Sequence, residues 1–254
     1  MNLKIGDYVT RISHNHDIIF QIVSIEKNIA YLKGVDLRLY ADSFLDDLVH
    51  SEVPNTSDQE IVKANLRSLQ MDRSQYFYLP GKILHIDGDN GYLKRCMNFY
   101  QEMNVKANGL TISEEEIPHR IKELLEEFQP DIVVITGHDA YLKKNRRDYQ
   151  NSINFIDAVK EARKYEKSQD KLIIIAGACQ SNYEELIKAG ANFASSPKRI
   201  NIHALDPAIL ATSLSLSDRN KSIDLISILE KTKYGKDGMG GIITNGTMYV
   251  GYPR

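Results

Sequence analysis

The chain has 254 residues, of which 42% are hydrophobic and 26% are charged, a composition that is ordinary for a soluble globular protein and excludes intrinsic disorder. The 32 Lys and Arg residues nearly balance the 34 Asp and Glu residues, and a net charge of −2 gives no reason to expect a nucleic-acid partner. Two cysteines exclude a disulfide scaffold and a four-cysteine zinc site, and favour a reducing compartment. Because no signal peptide and no apolar stretch of ~20 residues occurs, we expect a cytoplasmic protein without a membrane span.

Short β-branched and aromatic runs characterise residues 1–50. They occur at 8–12, 18–25, 29–32 and 37–40, and turn residues separate them. This spacing is typical of a small antiparallel barrel, so we predict an SH3-like β-barrel domain at 1–50. Residues 51–80 form a polar connector, in which a thin apolar stripe predicts one helix at 57–71.

Short apolar strands alternate with amphipathic helices in residues 81–254, which is typical of an α/β domain with a mostly parallel central sheet covered on both faces. We predict strands at 82–87, 105–110, 132–136, 172–176 and 192–194, and helices at 90–103, 113–128, 150–166 and 182–189. Ser181 and Glu184 fit a capping box for the last of these helices, and Gly190 stands where it should end. Near the end of the chain, Asn245-Gly246 predicts a β-hairpin over 242–250.

Three of the predicted strands end in polar residues, and ligands of parallel α/β sheets bind at the carboxyl ends of the strands. The first strand ends in Asp87-Gly88-Asp89. Four apolar residues at 132–135 lead into Thr136-Gly137-His138, and four more at 172–175 lead into the loop of Cys179. Because one crossover helix separates the latter two strands, we expect them to be neighbours that carry His138 and Cys179 at the same edge.

A histidine beside a cysteine is the pair that cysteine catalysis needs, because the thiolate is the nucleophile and the imidazole lowers the thiol pKa or relays its proton. We therefore predict a catalytic dyad of Cys179 and His138 that needs no cofactor and no metal. The N-terminus of the helix capped by Ser181 would also favour the thiolate. The backbone N–H groups of Cys179 and Asp139 are candidates for an oxyanion hole. Cys96 lies within a helical pattern, and we expect it to pack in the core.

The motifs around His138 and Cys179 resemble those of the caspase-like cysteine peptidases, in which the two residues lie at adjacent strand ends of an α/β sandwich. A more specific resemblance, to the YabG family of sporulation-specific cysteine peptidases, covers almost the whole chain. It is carried by LPGKILHIDGD at 79–89, VITGHDAY at 134–141, AGACQS at 176–181, GANFASSP at 190–197 and INIHALDP at 200–207. The resemblance implies a caspase-like peptidase domain at 81–254, an acyl-enzyme pathway, and spore coat and related spore proteins as substrates in the mother cell.

The resemblance also implies cleavage after Arg, or Lys. In separase-like relatives an acidic residue shortly after the strand that follows the catalytic cysteine receives a basic substrate side chain, and Asp206 stands at a comparable place. Asp206 is equally suited to be the N-cap of a helix whose first residue is Pro207. Asp87 is the other candidate for the acidic pocket residue, and Ser195 or Ser196 would line the pocket wall. The oligomeric state stays open.

Two other functions are alternatives to the protease. Asp87 and Asp89, with Asp139 nearby, are suited to holding Mg²⁺ for phosphoryl transfer or hydrolysis. A non-enzymatic scaffold would use the barrel to bind a coat-protein partner and would not depend on Cys179. The basic run at 143–147 predicts a solvated loop, with a mobile flap or a self-cleavage site as the alternative.

Overall fold

The N-terminal part of the chain forms an antiparallel sheet of five strands. The structure, a computed structural model, describes residues 3–52, 58–68, 74–139, 141–142, 148–149 and 151–253. The strands are β1 (Tyr8–Arg11), β2 (Phe20–Glu26), β3 (Ile29–Gly34), β4 (Tyr40–Phe44) and β5 (Leu48–His50), in the order β4-β3-β2-β1-β5. Within the described residues the edge strands β4 and β5 do not pair with each other, so the antiparallel sheet is confirmed and its closure into an SH3-like barrel is not.

The rest of the chain is organised around a mostly parallel sheet of six strands, as predicted. The strands are β7 (Ile83–Asp87), β8 (Ala107–Thr111), β9 (Ile132–Thr136), β12 (Ile173–Ala176), β13 (Phe193–Ser195) and β14 (Met239–Gly241), in the order β14-β13-β12-β9-β7-β8. All neighbours are parallel except β13 and β14. The central strands β9 and β12 are buried at every position, which is why they occur in the sequence as continuous aliphatic runs.

Helices cover both faces of this sheet. On one face lie α2 (Asn90–Glu102) and α6 (Asp206–Ser215), and on the other lie α3 (Ile117–Phe128), α4 (Ser152–Tyr165) and α5 (Tyr183–Ala189). Because side chains alternate along a strand, Ile132 and Val134 of β9 belong to the first core while Val133 and Ile135 belong to the second. The helix α1 (Asp58–Ser68) lies in the connector, and α7 (Leu225–Leu229) follows α6. No helix in the described part of the chain has the length and apolarity to cross a membrane.

Two predictions at the ends of elements are wrong. The hairpin over 242–250 does not form, because β14 pairs with β13 while β15 (Tyr249–Gly251) pairs with β6 (Phe77–Leu79). The residue that caps α5 is Asn182, whose side chain accepts the Glu185 N–H at 3.4 Å, and not Ser181. Gly190 ends α5 as predicted, with a φ of +112°. A short antiparallel pair, β10 (Tyr141–Leu142) and β11 (Asp148–Tyr149), precedes α4, and the basic run at 143–147 lies outside the described residues.

The connection between β3 and β4, residues 35–39, leaves the N-terminal sheet and lies against the carboxyl edge of the parallel sheet. The sequence predicts a barrel strand at 37–40, but β4 begins only at Tyr40. Leu37 instead forms an antiparallel bridge with His203, which follows β13 in the chain. We call residues 35–39 the β3–β4 loop. Through this loop the N-terminal sheet reaches the edge where the functional residues are predicted.

Candidate active site

Four strands present polar residues at the carboxyl edge of the parallel sheet. β7 ends at Asp87, β13 ends at Ser195, and the loops after β9 and β12 carry His138 and Cys179. β9 and β12 are adjacent parallel strands, as the single crossover helix predicts. His138 and Cys179 therefore follow neighbouring strands at one edge.

The loop of Cys179 is held tightly by the serines that follow β12 and β13. Gly177 has a φ of +105°, and a Cβ at this position would lie 2.5 Å from Ser195 Oγ, so that only glycine fits. The Ser195 hydroxyl donates to the Ala178 carbonyl at 2.9 Å, and Ser196 Oγ accepts the Gln180 N–H at 2.9 Å while its hydroxyl donates to the Ile200 carbonyl at 2.7 Å. Both serines are buried. In this structure they fix the loop of Cys179, and their role in a pocket wall stays a prediction.

The Cys179 thiol is fully buried. Its Sγ accepts the Ile202 N–H at 3.3 Å and lies 3.8 Å from the Ile202 carbonyl oxygen. Burial raises the pKa of the thiol to about 12, and the hydrogen bond from Ile202 and the charge of Arg38 offset this only in part. The lowered thiol pKa that the sequence predicts is therefore wrong for this closed arrangement.

Acidic and aromatic side chains surround the imidazole of His138. Its Nδ1 lies 3.5 Å from Glu114 Oε1, and its Nε2 lies 3.6 Å from Asp89 Oδ2. The Tyr40 ring packs edge-on against it, with 4.1 Å between the ring centroids. The buried Nε2 atom has no hydrogen-bond partner among the described residues, and so none joins it to Cys179. The site thus contains an imidazole nitrogen that faces the Asp89 carboxylate without a hydrogen bond to it.

Glu114 is the residue of this site that the sequence analysis misses. Its Oε1 accepts the His138 backbone N–H at 2.8 Å as well as facing Nδ1. A Cβ at Gly88 or at Gly137 would lie 2.3 Å from Oε1, so both glycines make room for this carboxylate. Although burial opposes it, hydrogen bonding to His138 lowers the pKa of Glu114 and keeps the carboxylate ionised. The sequence feature that indicates space for such a side chain is a glycine directly after each of the neighbouring strands β7 and β9.

The Asp139 side chain joins the loops of His138 and Cys179. Its Oδ2 accepts the Ser181 hydroxyl at 2.8 Å and also the Ser152 hydroxyl. Ser181 Oγ in turn accepts the Ala178 N–H at 2.9 Å, directly before Cys179. The contacts of Asp139 thus fix the relative position of the two loops. The oxyanion role of the Asp139 and Cys179 N–H groups stays a prediction.

Asp87, one of the two candidates for an acidic pocket, binds a guanidinium of the chain itself. It is fully buried, and its Oδ2 accepts from Arg38 Nη1 at 2.7 Å and from the Thr136 hydroxyl at 3.0 Å. Although burial opposes it, the Arg38 guanidinium holds the pKa of Asp87 well below its usual range. Asp87 is therefore an ionised carboxylate that is paired with an arginine.

Asp206, the other candidate, is the first residue of α6. Its carboxylate accepts the backbone N–H groups of His203 at 2.8 Å and Lys233 at 2.9 Å. Burial raises the pKa of Asp206 to about 6. The N-cap of α6 is Leu205, and the Asp206 carboxylate accepts N–H groups from outside α6, so the predicted N-cap role of Asp206 is wrong. A pocket role for Asp206 stays a prediction.

The carboxylates of the metal-assisted alternative pair with cations of the protein. Asp87 binds Arg38, and Asp89 lies 2.6 Å from Lys33 Nζ. In the part of the chain that the structure describes, one group of three side chains has the spacing of metal ligands, and it contains neither aspartate: Asp36, Asp58 and His203. No observation therefore favours Mg²⁺ chemistry at Asp87 and Asp89. Cys96 is buried in α2, as predicted.

A cysteine and a histidine after adjacent strands of a parallel sheet, with an extended segment of chain paired beside them, are features of a peptidase. Comparison with known proteins agrees with this class, because residues 4–71 and 55–253 match the family described as YabG peptidase U57. The chain belongs to this peptidase family, and the resemblance seen in its sequence motifs is confirmed.

A curated relative is similar over the full length. The sporulation-specific protease YabG of Bacillus subtilis (strain 168) is 38% identical to this chain over an alignment of 290 residues. The alignment spans 100% of this chain and 99% of the relative. No solved structure matches the chain. The protein is therefore a protease, and the prediction of an enzyme that hydrolyses peptide bonds is confirmed.

Proposed function

We propose that the protein is a sporulation-specific cysteine endopeptidase that processes spore coat and related spore proteins in the mother cell. The observation that carries this proposal is the adjacency of β9 and β12, whose loops hold His138 and Cys179. The relative from Bacillus subtilis is a sporulation-specific protease, which supports the role in sporulation. A caspase-like peptidase domain at 81–254, a connector at 51–80 and an SH3-like domain at 1–50 belong to the same proposal.

In the proposed reaction, His138 Nε2 takes the proton of the Cys179 thiol while Sγ bonds to the scissile carbonyl carbon. The backbone N–H groups of Cys179 and Asp139 stabilise the negative charge on the carbonyl oxygen. His138 then gives the proton to the leaving amine as the C–N bond breaks, which leaves a thioester. Water that His138 deprotonates hydrolyses the thioester and restores the thiol. These steps use no metal and no cofactor.

The proposed specificity is cleavage after Arg, or Lys. Asp87 supports it, because this buried carboxylate already binds a guanidinium at 2.7 Å. A charged hydrogen bond inside a low-dielectric pocket is strong and favours the planar guanidinium over an ammonium. We assign the basic substrate side chain to Asp87 and keep Asp206 as the second candidate.

The test is hydrolysis of an Arg-containing peptide by the wild type, Cys179→Ala and Cys96→Ala. Cys96 is a matched control, because it is also fully buried and burial likewise raises its pKa to about 12. We expect Cys179→Ala to lose on the order of 10³-fold or more of kcat. Cys96→Ala should keep its kcat, and because Cys96 Sγ contacts the Arg38 guanidinium in the proposed pocket, any effect of this variant should be confined to KM. Iodoacetamide should inhibit the enzyme and a chelator should not. Turnover by Cys179→Ala, or inhibition by chelator alone, would refute the dyad and favour the scaffold or the metal-assisted alternative.

A further inference from the structure

The β3–β4 loop pairs with residues 202–204 through antiparallel backbone hydrogen bonds. The Arg38 N–H donates to the Ile202 carbonyl at 3.1 Å, and the Ala204 N–H donates to the Asp36 carbonyl at 2.9 Å. Between these two hydrogen bonds, Leu37 and His203 form the antiparallel bridge. Addition of an extended strand to a free edge is a common way for a protein to bind a peptide.

This peptide segment is aligned with the candidate nucleophile. The Ile202 carbonyl that accepts the Arg38 N–H also lies 3.8 Å from Cys179 Sγ, so one oxygen atom contacts both groups. Directly after the loop, the Tyr40 ring packs on the imidazole of His138. The loop and its flanking tyrosine therefore lie beside both members of the proposed dyad.

The Arg38 side chain fills a pocket in which each of the three guanidinium nitrogens donates a hydrogen bond. Nη1 donates to Asp87 at 2.7 Å, Nε donates to the Ala204 carbonyl at 3.1 Å, and Nη2 donates to Cys96 Sγ at 3.5 Å. The Tyr92 ring lies 4.9 Å from Arg38 Cζ. The side chain is 0% exposed. The pocket therefore recognises the planar shape of a guanidinium as well as its charge.

Contacts other than the Arg38–Asp87 ion pair fix the shape of the β3–β4 loop. The Gly34 N–H donates to the Leu39 carbonyl at 2.7 Å and closes the loop, and a Cβ on Gly34 would lie 2.4 Å from the Leu37 carbonyl oxygen. The Tyr92 hydroxyl contacts the carbonyl oxygens of Gly34 and Leu37 at 2.6 and 2.9 Å. The loop is thus a compact unit that presents Arg38 to the pocket.

We propose that residues 202–204 and the Asp87 pocket form the peptide-binding cleft, and that the β3–β4 loop occupies this cleft in cis, with Arg38 in the place of the substrate arginine. The inference rests on the proposed function. A tethered ligand such as this loop has an effective concentration on the order of 1 mM. Typical KM values run from about 1 μM to 1 mM, so the loop competes well with an external substrate for the cleft. An external substrate must therefore displace the loop, and the resting enzyme inhibits itself.

The first test compares peptide hydrolysis by the wild type, Arg38→Ala and the control Arg163→Ala. Arg163 is partly buried and, like Arg38, donates to a backbone carbonyl, but it lies on α4 and contacts Gly190. We expect Arg38→Ala to raise kcat/KM by about tenfold or more and to speed alkylation of Cys179 by iodoacetamide, with Arg163→Ala unchanged. Arg38→Lys is the second variant, for use where Arg38→Ala folds poorly. It keeps a cation beside Asp87, so its increase in kcat/KM should be smaller. Equal, Cys179-dependent rates in the wild type and the Arg38 variants would overturn the inference and leave the proposed function intact.

The second test measures binding without catalysis. In a Cys179→Ala background, agmatine, a small guanidinium compound, should raise the Tm of Arg38→Ala by roughly 3 to 6 °C at ten times its Kd. The protein that retains Arg38 should show no such shift, and a further Asp87→Asn change should abolish it. An equal response with and without Arg38 would refute the pocket. If agmatine raises this Tm but neither the wild type nor the Arg38 variants with Cys179 intact hydrolyse any peptide, the result would support the guanidinium pocket and refute the proposed function.

Discussion

The acidic side chains at the carboxyl edge of the parallel sheet differ in what each carboxylate faces. Asp87 faces a guanidinium, Asp206 faces two backbone N–H groups, and Glu114 faces the backbone N–H and Nδ1 of His138. A carboxylate beside Nδ1 favours the imidazole tautomer that carries its proton there, which leaves Nε2 free to accept a proton. Glu114 therefore acts as a positioning residue for His138 in the proposed reaction.

Replacing Glu114 should lower turnover without weakening substrate binding. We expect Glu114→Ala to reduce kcat by roughly 10- to 100-fold, a part of the 10²–10⁴-fold effect of a general base, with KM little changed. Glu114→Gln should recover part of the loss, because an amide oxygen still accepts a hydrogen bond. Steady-state kinetics measure both constants. The exposed neighbour Glu115 provides the control, and an equal loss in Glu115→Ala, or a change confined to KM, would contradict this role.

The start of α5 shows how two adjacent polar residues do different work within one element. Asn182 caps the helix through a long 3.4 Å contact with the Glu185 N–H. Ser181 is fully buried and joins the Ala178 N–H to Asp139. The helix therefore depends on Asn182, whereas the geometry of the loop that carries Cys179 depends on Ser181.

Alanine substitutions should separate these two roles. Ser181→Ala leaves the buried Ala178 N–H without its acceptor, so we expect a loss of about 1–3 kcal/mol in the free energy of unfolding together with reduced peptide hydrolysis. Asn182→Ala removes only a cap, so the loss should be about 0.5–1 kcal/mol, with hydrolysis retained. Urea unfolding and peptide hydrolysis measure the two effects. The assignment fails if Asn182→Ala impairs hydrolysis as strongly as Ser181→Ala does.

Local sequence patterns predict where the helices and strands lie better than they predict which segments contact each other. The strand at 132–136 was predicted to the residue, because a buried central strand is an uninterrupted aliphatic run. The strand predicted at 37–40 is wrong, because β4 begins only at Tyr40 and Leu37 instead pairs with His203. Arg38 and Ala204, which are in contact, are 166 positions apart, and no periodicity in either segment identifies the other. For the same reason Glu114, on the loop before α3, could not be assigned to His138.

At the scale of the whole molecule, buried ionisable groups lie where the N-terminal sheet meets the parallel sheet. His203, in the bridge to Leu37, is fully buried, and its Nδ1 accepts the Leu205 N–H at 3.2 Å. Burial, with a smaller contribution from the Arg95 charge, lowers the pKa of His203 from 6.5 to about 4. Burial raises the pKa of Asp206 from 3.8 to about 6. The contact between the two sheets should therefore respond to pH.

The two groups affect stability in opposite directions over almost the same pH range. As the pH falls from 6.5 to about 4, the unfolded chain protonates His203 before the folded chain does, so this group lowers the free energy of unfolding. As the pH falls from about 6 to 3.8, the folded chain protonates Asp206 first, so that group raises it. Between pH 6 and 4 these two contributions to the free energy of unfolding should therefore largely cancel each other.

His203→Gln should expose the opposing effect of Asp206. The variant loses the packing of the buried imidazole, so we expect it to be less stable than the wild type at pH 7. Its unfolded chain has no imidazole at this position, so it does not take up the proton that destabilises the wild type at low pH. The difference in the free energy of unfolding between the two proteins should shrink between pH 6.5 and 4, by up to roughly 3 kcal/mol at 1.36 kcal/mol per pKa unit. Urea unfolding at several pH values measures it, with the exposed His119→Gln as control. A difference that stays constant with pH would mean that the folded and unfolded chains protonate His203 at the same pH, and that its burial against the β3–β4 loop does not hold in solution.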